Sequence, residues 1–288
     1  MKRAVSLLLA VLILFSFASC GEKKEENINL TDYKIVTSFY PVYVAVLNIT
    51  EGAKNVTVTN LINEETGCLH NYMFTKKDLE RIKGADLFIA SGKDMESFVG
   101  NVSLGIPGLA VLDSGEDIQH IIEKNDVENS HYWMNTDNAA EQCEKIKRNL
   151  VRLDPQNAEV FENNTAEYVA KLNELKVEAQ AVVDALPSKD IVVFHDSFDY
   201  FADEFGLNVI SAESGDGEEY IKAIEKTGFI LVQESLRKDP ELKRLVKETG
   251  CDVYVIDTVT SAEAGENPKD AYIESFRRNL ELLKQILG

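Results

Sequence analysis

Short runs of β-branched residues alternate with segments of 3.6-residue periodicity along most of this chain. Residues 33–38 read as a strand, residues 41–49 as a helix with Pro41 in its first turn, and residues 56–62 as a second strand. Thr75-Lys76-Lys77-Asp78 has the spacing of a capping box opening a helix that runs to Ile82, and residues 86–90 predict a third strand. The later chain repeats the style, with buried strands at 191–194, 229–232 and 253–256. Between them lie helical patterns ending at Gly206 and Gly250, where glycine suits a helix C-cap. This punctuation predicts an α/β fold of two lobes with mainly parallel sheets, although no sequence repeat relates the halves.

One long connecting helix is expected between the lobes. Residues 156–186 contain no Gly or Pro, and Phe161, Thr165, Tyr168, Leu172, Leu175, Ala179, Val182 and Leu186 recur at alternating spacings of four and three. At 1.5 Å per residue such a helix would be about 46 Å long, and Pro187 stops it. A helical connector resists bending, so only modest rotation of one lobe against the other is expected.

Charge and cysteine usage narrow the function. The 288 residues carry 30 Lys and Arg against 49 Asp and Glu, a formal net charge of −19. Nucleic acid is therefore excluded as a partner, because phosphate backbones are held by basic clusters. At the amino terminus, Lys2 and Arg3 precede an apolar run over residues 4–17, shorter than the ~20 residues a spanning helix needs. The run ends in Phe17-Ala18-Ser19-Cys20, which resembles the lipobox of bacterial lipoproteins, with Phe17 standing where that pattern usually has Leu. The resemblance implies cleavage after Ser19 and lipidation of Cys20, followed by a charged tether. An acidic body is repelled by anionic headgroups, so attachment to the bilayer would rest on acyl chains. Cys68, Cys143 and Cys251 then remain; an odd trio cannot pair completely, and the chain has no CxxC motif.

Candidate chemistry centres on four histidines. His195 follows the strand at 191–194 and Asp257 follows the strand at 253–256, where ligands of open α/β sheets gather. His70 lies in a loop beyond the strand at 56–62, and His131 in a loop before a helix that begins near Asp137. Three imidazoles and a carboxylate at element ends suit a borderline cation in a tetrahedral site. His120 has no such placement and reads as an ordinary surface residue.

At these positions the chain resembles the cluster 9 solute-binding proteins of zinc and manganese ABC importers. The resemblance is carried by Gly67-Cys68-Leu69-His70-Asn71-Tyr72 with Thr75 to Leu79 and Gly92, by His131-Tyr132-Trp133-Met134, by Phe194-His195-Asp196-Ser197-Phe198, and by Val255-Ile256-Asp257-Thr258 with Asn279-Leu280. It implies a metal clamped between two lobes by His70 and His131 from the first and His195 and Asp257 from the second. The implied division is a signal peptide at 1–19, a tether at 20–31, a first lobe at 32–155, a connecting helix at 156–186 and a second lobe at 187–288. The implied function is a monomeric, lipid-anchored extracytoplasmic receptor, not an enzyme, that delivers Zn2+, or alternatively Mn2+, to an ABC-importer permease.

Three departures bear on that reading. The stretch from Lys93 to Ser130 offers only His120 where zinc-binding relatives often have a His-rich loop, Cys68 stands two residues before His70, and Glu234 follows a strand as a family acid does. Cys68 is expected to be a small buried residue, and Glu234 to support the ligands rather than bind metal. The alternatives are a zinc-dependent hydrolase, for which the chain carries no HExxH, GxSxG or P-loop motif, and a surface adhesin with a structural metal.

Overall fold

The structure, a computed structural model, describes residues 32–62, 69–70, 72–124, 126–211, 217–261 and 265–288. The expected signal peptide, the tether with Cys20, and Cys68 lie outside them. Two four-stranded parallel sheets form the frame. The first contains β1 (Tyr33–Thr37), β2 (Val56–Asn60), β3 (Leu87–Ala90) and β4 (Ala110–Asp113) in the order β2-β1-β3-β4. The second contains β7 (Asp190–Val193), β8 (Asn208–Ser211), β9 (Phe229–Gln233) and β10 (Asp252–Ile256) in the order β8-β7-β9-β10. Each lobe thus places its first strand second in the sheet and reverses direction there. That reversal opens a crevice beyond the strands' carboxyl ends.

Helices α1 (Tyr40–Thr50), α2 (Lys76–Ile82) and α3 (Val99–Gly105) connect the strands of the first lobe. The capping box forms as its sequence predicts: Asp78 N–H donates to Thr75 Oγ1 at 3.3 Å, and Thr75 N–H donates to the Asp78 carboxylate at 2.8 Å. Beyond β4, β5 (Glu123–Lys124) and β6 (Val127–Glu128) pair as a small antiparallel hairpin. Helix α4 (Thr136–Leu153) then leads to the connecting helix α5 (Ala158–Asp184). Helices α6 (Asp199–Phe205), α7 (Gly217–Thr227), α8 (Pro240–Thr249) and α9 (Ala271–Leu287) belong to the later chain. Gly206 and Gly250 cap α6 and α8 in the left-handed region at φ +73° and +70°.

The connecting helix is shorter than the expected 156–186, because Pro155–Asn157 forms a 3-10 turn before it and it ends at Asp184. Its 27 residues span about 40 Å. Phe161, Thr165, Tyr168, Leu172, Leu175 and Ala179 are buried as expected, but Val183 replaces Val182 in the core. A strict four-three spacing has a period of 3.5, and a real helix drifts from it by about 20° per heptad, enough to hand the last position to the next residue. Among the described residues no helix is long and apolar enough to cross a membrane.

Candidate metal centre

His195 leaves β7 in extended conformation (φ −141°, ψ 152°), at the strand where the second sheet reverses order. Its Nδ1 lies 3.2 Å from Ser197 N and 3.0 Å from Asp196 Oδ1. His131 comes from the first lobe, immediately before the 3-10 turn Tyr132–Met134 that leads into α4, and is wholly buried. Both its backbone N–H and its Nδ1 meet Asn129 Oδ1, at 2.9 and 2.8 Å. His70, in the loop after β2, is the most exposed of the three as a whole residue, though its ring is turned in against His131.

The fold brings these three imidazoles together. Ring centroids lie 5.3 Å apart for His70 and His131, and 5.2 Å apart for His131 and His195. An ion held tetrahedrally about 2.0–2.1 Å from each imidazole nitrogen would set ring centroids roughly 5 Å apart, once the ring radius is added to the bond. The observed spacing therefore suits coordination. Trp133 packs against His131 at 5.3 Å and Phe39 against Trp133 at 5.2 Å, giving the cluster an apolar floor.

Burial makes two of these rings, His70 and His131, poor proton acceptors. It pushes the pKa of His131 down to about 3, overriding the nearby Asp196 carboxylate, and lowers that of His70, with the His195 imidazole adding to the effect. Neutral imidazole is the form that ligates. Asp196 shows the opposite balance: burial alone would raise its pKa, but the His195 hydrogen bond and the neighbouring rings hold it below the usual carboxylate range.

Asp196, which the sequence reading passed over, joins His131 and His195 in a group whose potential ligand atoms lie within 4.8 Å of one another. It approaches both rings on their Nδ1 side, at 3.4 Å from His131 and 3.0 Å from His195. A carboxylate there orients imidazoles and raises their basicity toward metal. The adjacent His-Asp pair after an apolar strand was a usable signal for it.

Asp257 sits at the end of β10 as expected, but its carboxylate is outside that converging group. Its Oδ2 accepts from Arg278 Nη2 at 2.6 Å and Nε at 3.2 Å, while Oδ1 accepts the Val259 N–H at 2.9 Å. Arg278 also reaches Glu266 at 2.9 Å. The next residue ties this loop to the cluster, since Trp133 Nε1 donates to the Thr258 carbonyl at 3.0 Å. Glu234 is exposed and pairs with Arg237 at 3.4 Å. His120 lies apart from the three rings, with Nε2 3.0 Å from Asp203 of α6.

A family profile described as "ZnuA: Zinc-uptake complex component A periplasmic" matches residues 35–286. The high-affinity zinc uptake system protein ZnuA of Bacillus subtilis (strain 168) is 26% identical across 88% of this chain and 87% of that protein. The zinc-binding lipoprotein AdcA of Streptococcus pneumoniae (strain ATCC BAA-255 / R6) is 30% identical across 98% of this chain, which spans 61% of AdcA's length. A crystal structure of ZnuA shares the fold, with a TM-score of 0.74 at 20% identity over 88% of this chain and 99% of the other. With the profile covering both sheets and the connecting helix, the chain belongs to the family of zinc-uptake complex component A periplasmic proteins.

Proposed function

We propose that this protein is a lipid-anchored extracytoplasmic receptor that captures one Zn2+ and hands it to an ABC permease for import. The observation that carries this reading is the meeting of His70, His131 and His195, contributed by both lobes, at ring spacings of 5.2–5.3 Å. Three imidazole nitrogens with one carboxylate favour zinc over manganese, which prefers an oxygen-rich shell. Asp257 is assigned as the source of that carboxylate; it stands outside the converging group while paired with Arg278, and its Oδ1 keeps a lone pair beside the Val259 N–H. The lobes are taken as residues 32–155 and 187–288, with the helix between them as connector.

The names of the relatives support transport rather than catalysis: one is a zinc uptake system protein and another a zinc-binding lipoprotein. The second name also fits an anchor at Cys20 after removal of residues 1–19. A monomer suffices, since all four proposed ligands lie in one chain.

The test is elemental analysis of the mature protein after chelation and refilling, with zinc and manganese in competition. One zinc per chain is expected, and the His70→Ala, His131→Ala, His195→Ala triple variant should retain none. Stoichiometric zinc in that variant would remove the assignment, whereas preference for manganese would change only the metal.

A further inference from the structure

Asn129 stands between the lobes, only 4% exposed, and both ends of its side-chain amide are used. The Oδ1 end receives the His131 backbone N–H at 2.9 Å, and the Nδ2 end donates to the Asp196 backbone carbonyl at 2.9 Å. A backbone N–H can only donate and a carbonyl can only accept, so these contacts fix independently which end of the amide is oxygen. That oxygen also lies 2.8 Å from His131 Nδ1. Facing an acceptor, Nδ1 must carry the proton, which puts the imidazole lone pair on Nε2.

The same residue grips the second lobe twice more. Its backbone carbonyl accepts the Tyr200 hydroxyl at 2.8 Å, and that hydroxyl oxygen accepts the Ile122 N–H at 3.0 Å. Its Nδ2 also lies 3.4 Å from Asp199 Oδ2. Asp196, Asp199 and Tyr200 all follow His195 on the 3-10 turn and start of α6. One small side chain therefore holds the ring of His131 and the segment that presents His195.

We propose that Asn129 is the positioning residue of metal capture: it sets the Nδ1–H tautomer of His131 and ties that ring to the His195 segment, so that it governs how long the metal stays bound. This rests on the reading of His131 and His195 as ligands. Its consequence is that release begins with loss of the Asn129 contacts, because the lobes cannot part at His131 and His195 while the amide bridges them.

The experiment compares wild type, Asn129→Ala and Tyr200→Phe. The His131 tautomer is read by long-range proton–nitrogen correlation on chelator-treated protein, and zinc release by stopped flow into excess chelator. Asn129→Ala leaves His131 Nδ1 only the longer 3.4 Å approach of Asp196, so it should mix the His131 tautomers and speed release about tenfold or more, the usual scale for losing a partner of a ligating histidine. Tyr200→Phe, which leaves the ring's partner in place, should keep the tautomer and speed release by a smaller factor. If Asn129→Ala proves too unstable to purify, a Tyr200→Phe release rate equal to wild type overturns the tie between the lobes. A wild-type tautomer and release rate in Asn129→Ala overturn the whole inference. Wild-type protein that takes up no zinc would instead overturn the capture reading beneath it, an outcome read before any variant is compared.

Discussion

Glu204 of α6 reaches across to Thr136, the first residue of α4, and accepts its backbone N–H at 2.8 Å as well as its hydroxyl. Helix starts leave N–H groups without intrahelical partners, and here a buried carboxylate of the later chain satisfies one, with Lys176 at 3.6 Å as counter-charge. Glu204→Ala should therefore cost about 1–3 kcal/mol in chemical denaturation, the range for orphaning buried polar groups. Glu204→Gln, which keeps an acceptor, should cost less. Equal stability of all three proteins would show that this contact contributes nothing.

Stability should peak at mildly acidic pH, because two buried groups pull in opposite directions. Burial pushes Glu96 from 4.5 up to about 7, although Ser38 and the N–H groups of Ser91 and Gly92 oppose it. The stability linked to this raised acid is present below 4.5 and lost as pH rises through 7. His131 works in reverse: its pKa falls from 6.5 to about 3, so its contribution is present above 6.5 and lost as pH falls toward 3. Urea melts across this range on chelator-treated protein should show the maximum, and Glu96→Gln should flatten the neutral side. A decline of unchanged steepness in that variant would exclude Glu96 as its source.

Zinc affinity should withstand mild acid better than a site of ordinary imidazoles. The pKa values of His70 and His131 are both lowered, by burial first, so at those two rings protons compete with metal only below the usual histidine range near 6.5. When the fall comes it should be steeper than one proton per zinc. Competition titrations at stepped pH measure both features; a fall centred at or above 6.5 would contradict the role assigned to burial.

The two carboxylates near the cluster should separate by substitution. Asp257→Asn removes the charge of the proposed fourth ligand and should weaken zinc binding about tenfold or more, while altering the visible spectrum of a cobalt-substituted site. Asp196→Asn keeps an acceptor beside His195 Nδ1, so it should weaken binding less and leave that spectrum near wild type. The reverse ranking would transfer the ligand role from Asp257 to Asp196.

Cys20→Ser should move the protein out of the membrane fraction, since the acidic body has no attraction for anionic lipid. Fractionation followed by immunodetection checks this, and retention of the variant in membranes would exclude Cys20 as the anchor.

The sequence carried the frame wherever a pattern was long or a turn residue specific. The strands at β1, β2 and β3, the Thr75 capping box and the glycine caps at 206 and 250 all appear as read. The short strands β4 and β8 escaped because four residues with mixed burial establish no period. Likewise, the placement of His131 and His195 at element ends was legible, but their partners were not. Asn129 acts through an amide whose use depends on residues some seventy positions away. Asp257's engagement with Arg278 depends on where α9 packs, which no local pattern encodes.

His70, His131 and His195 are each separated from the next by roughly sixty residues of chain. An ion bound to all three closes two large loops, and so acts on the unfolded ensemble as a removable cross-link would. Cargo and durability are then coupled: the resistance of the body to heat and proteases rises with the logarithm of free zinc above its dissociation constant. A receptor waiting in a zinc-poor medium would thereby be the more perishable one.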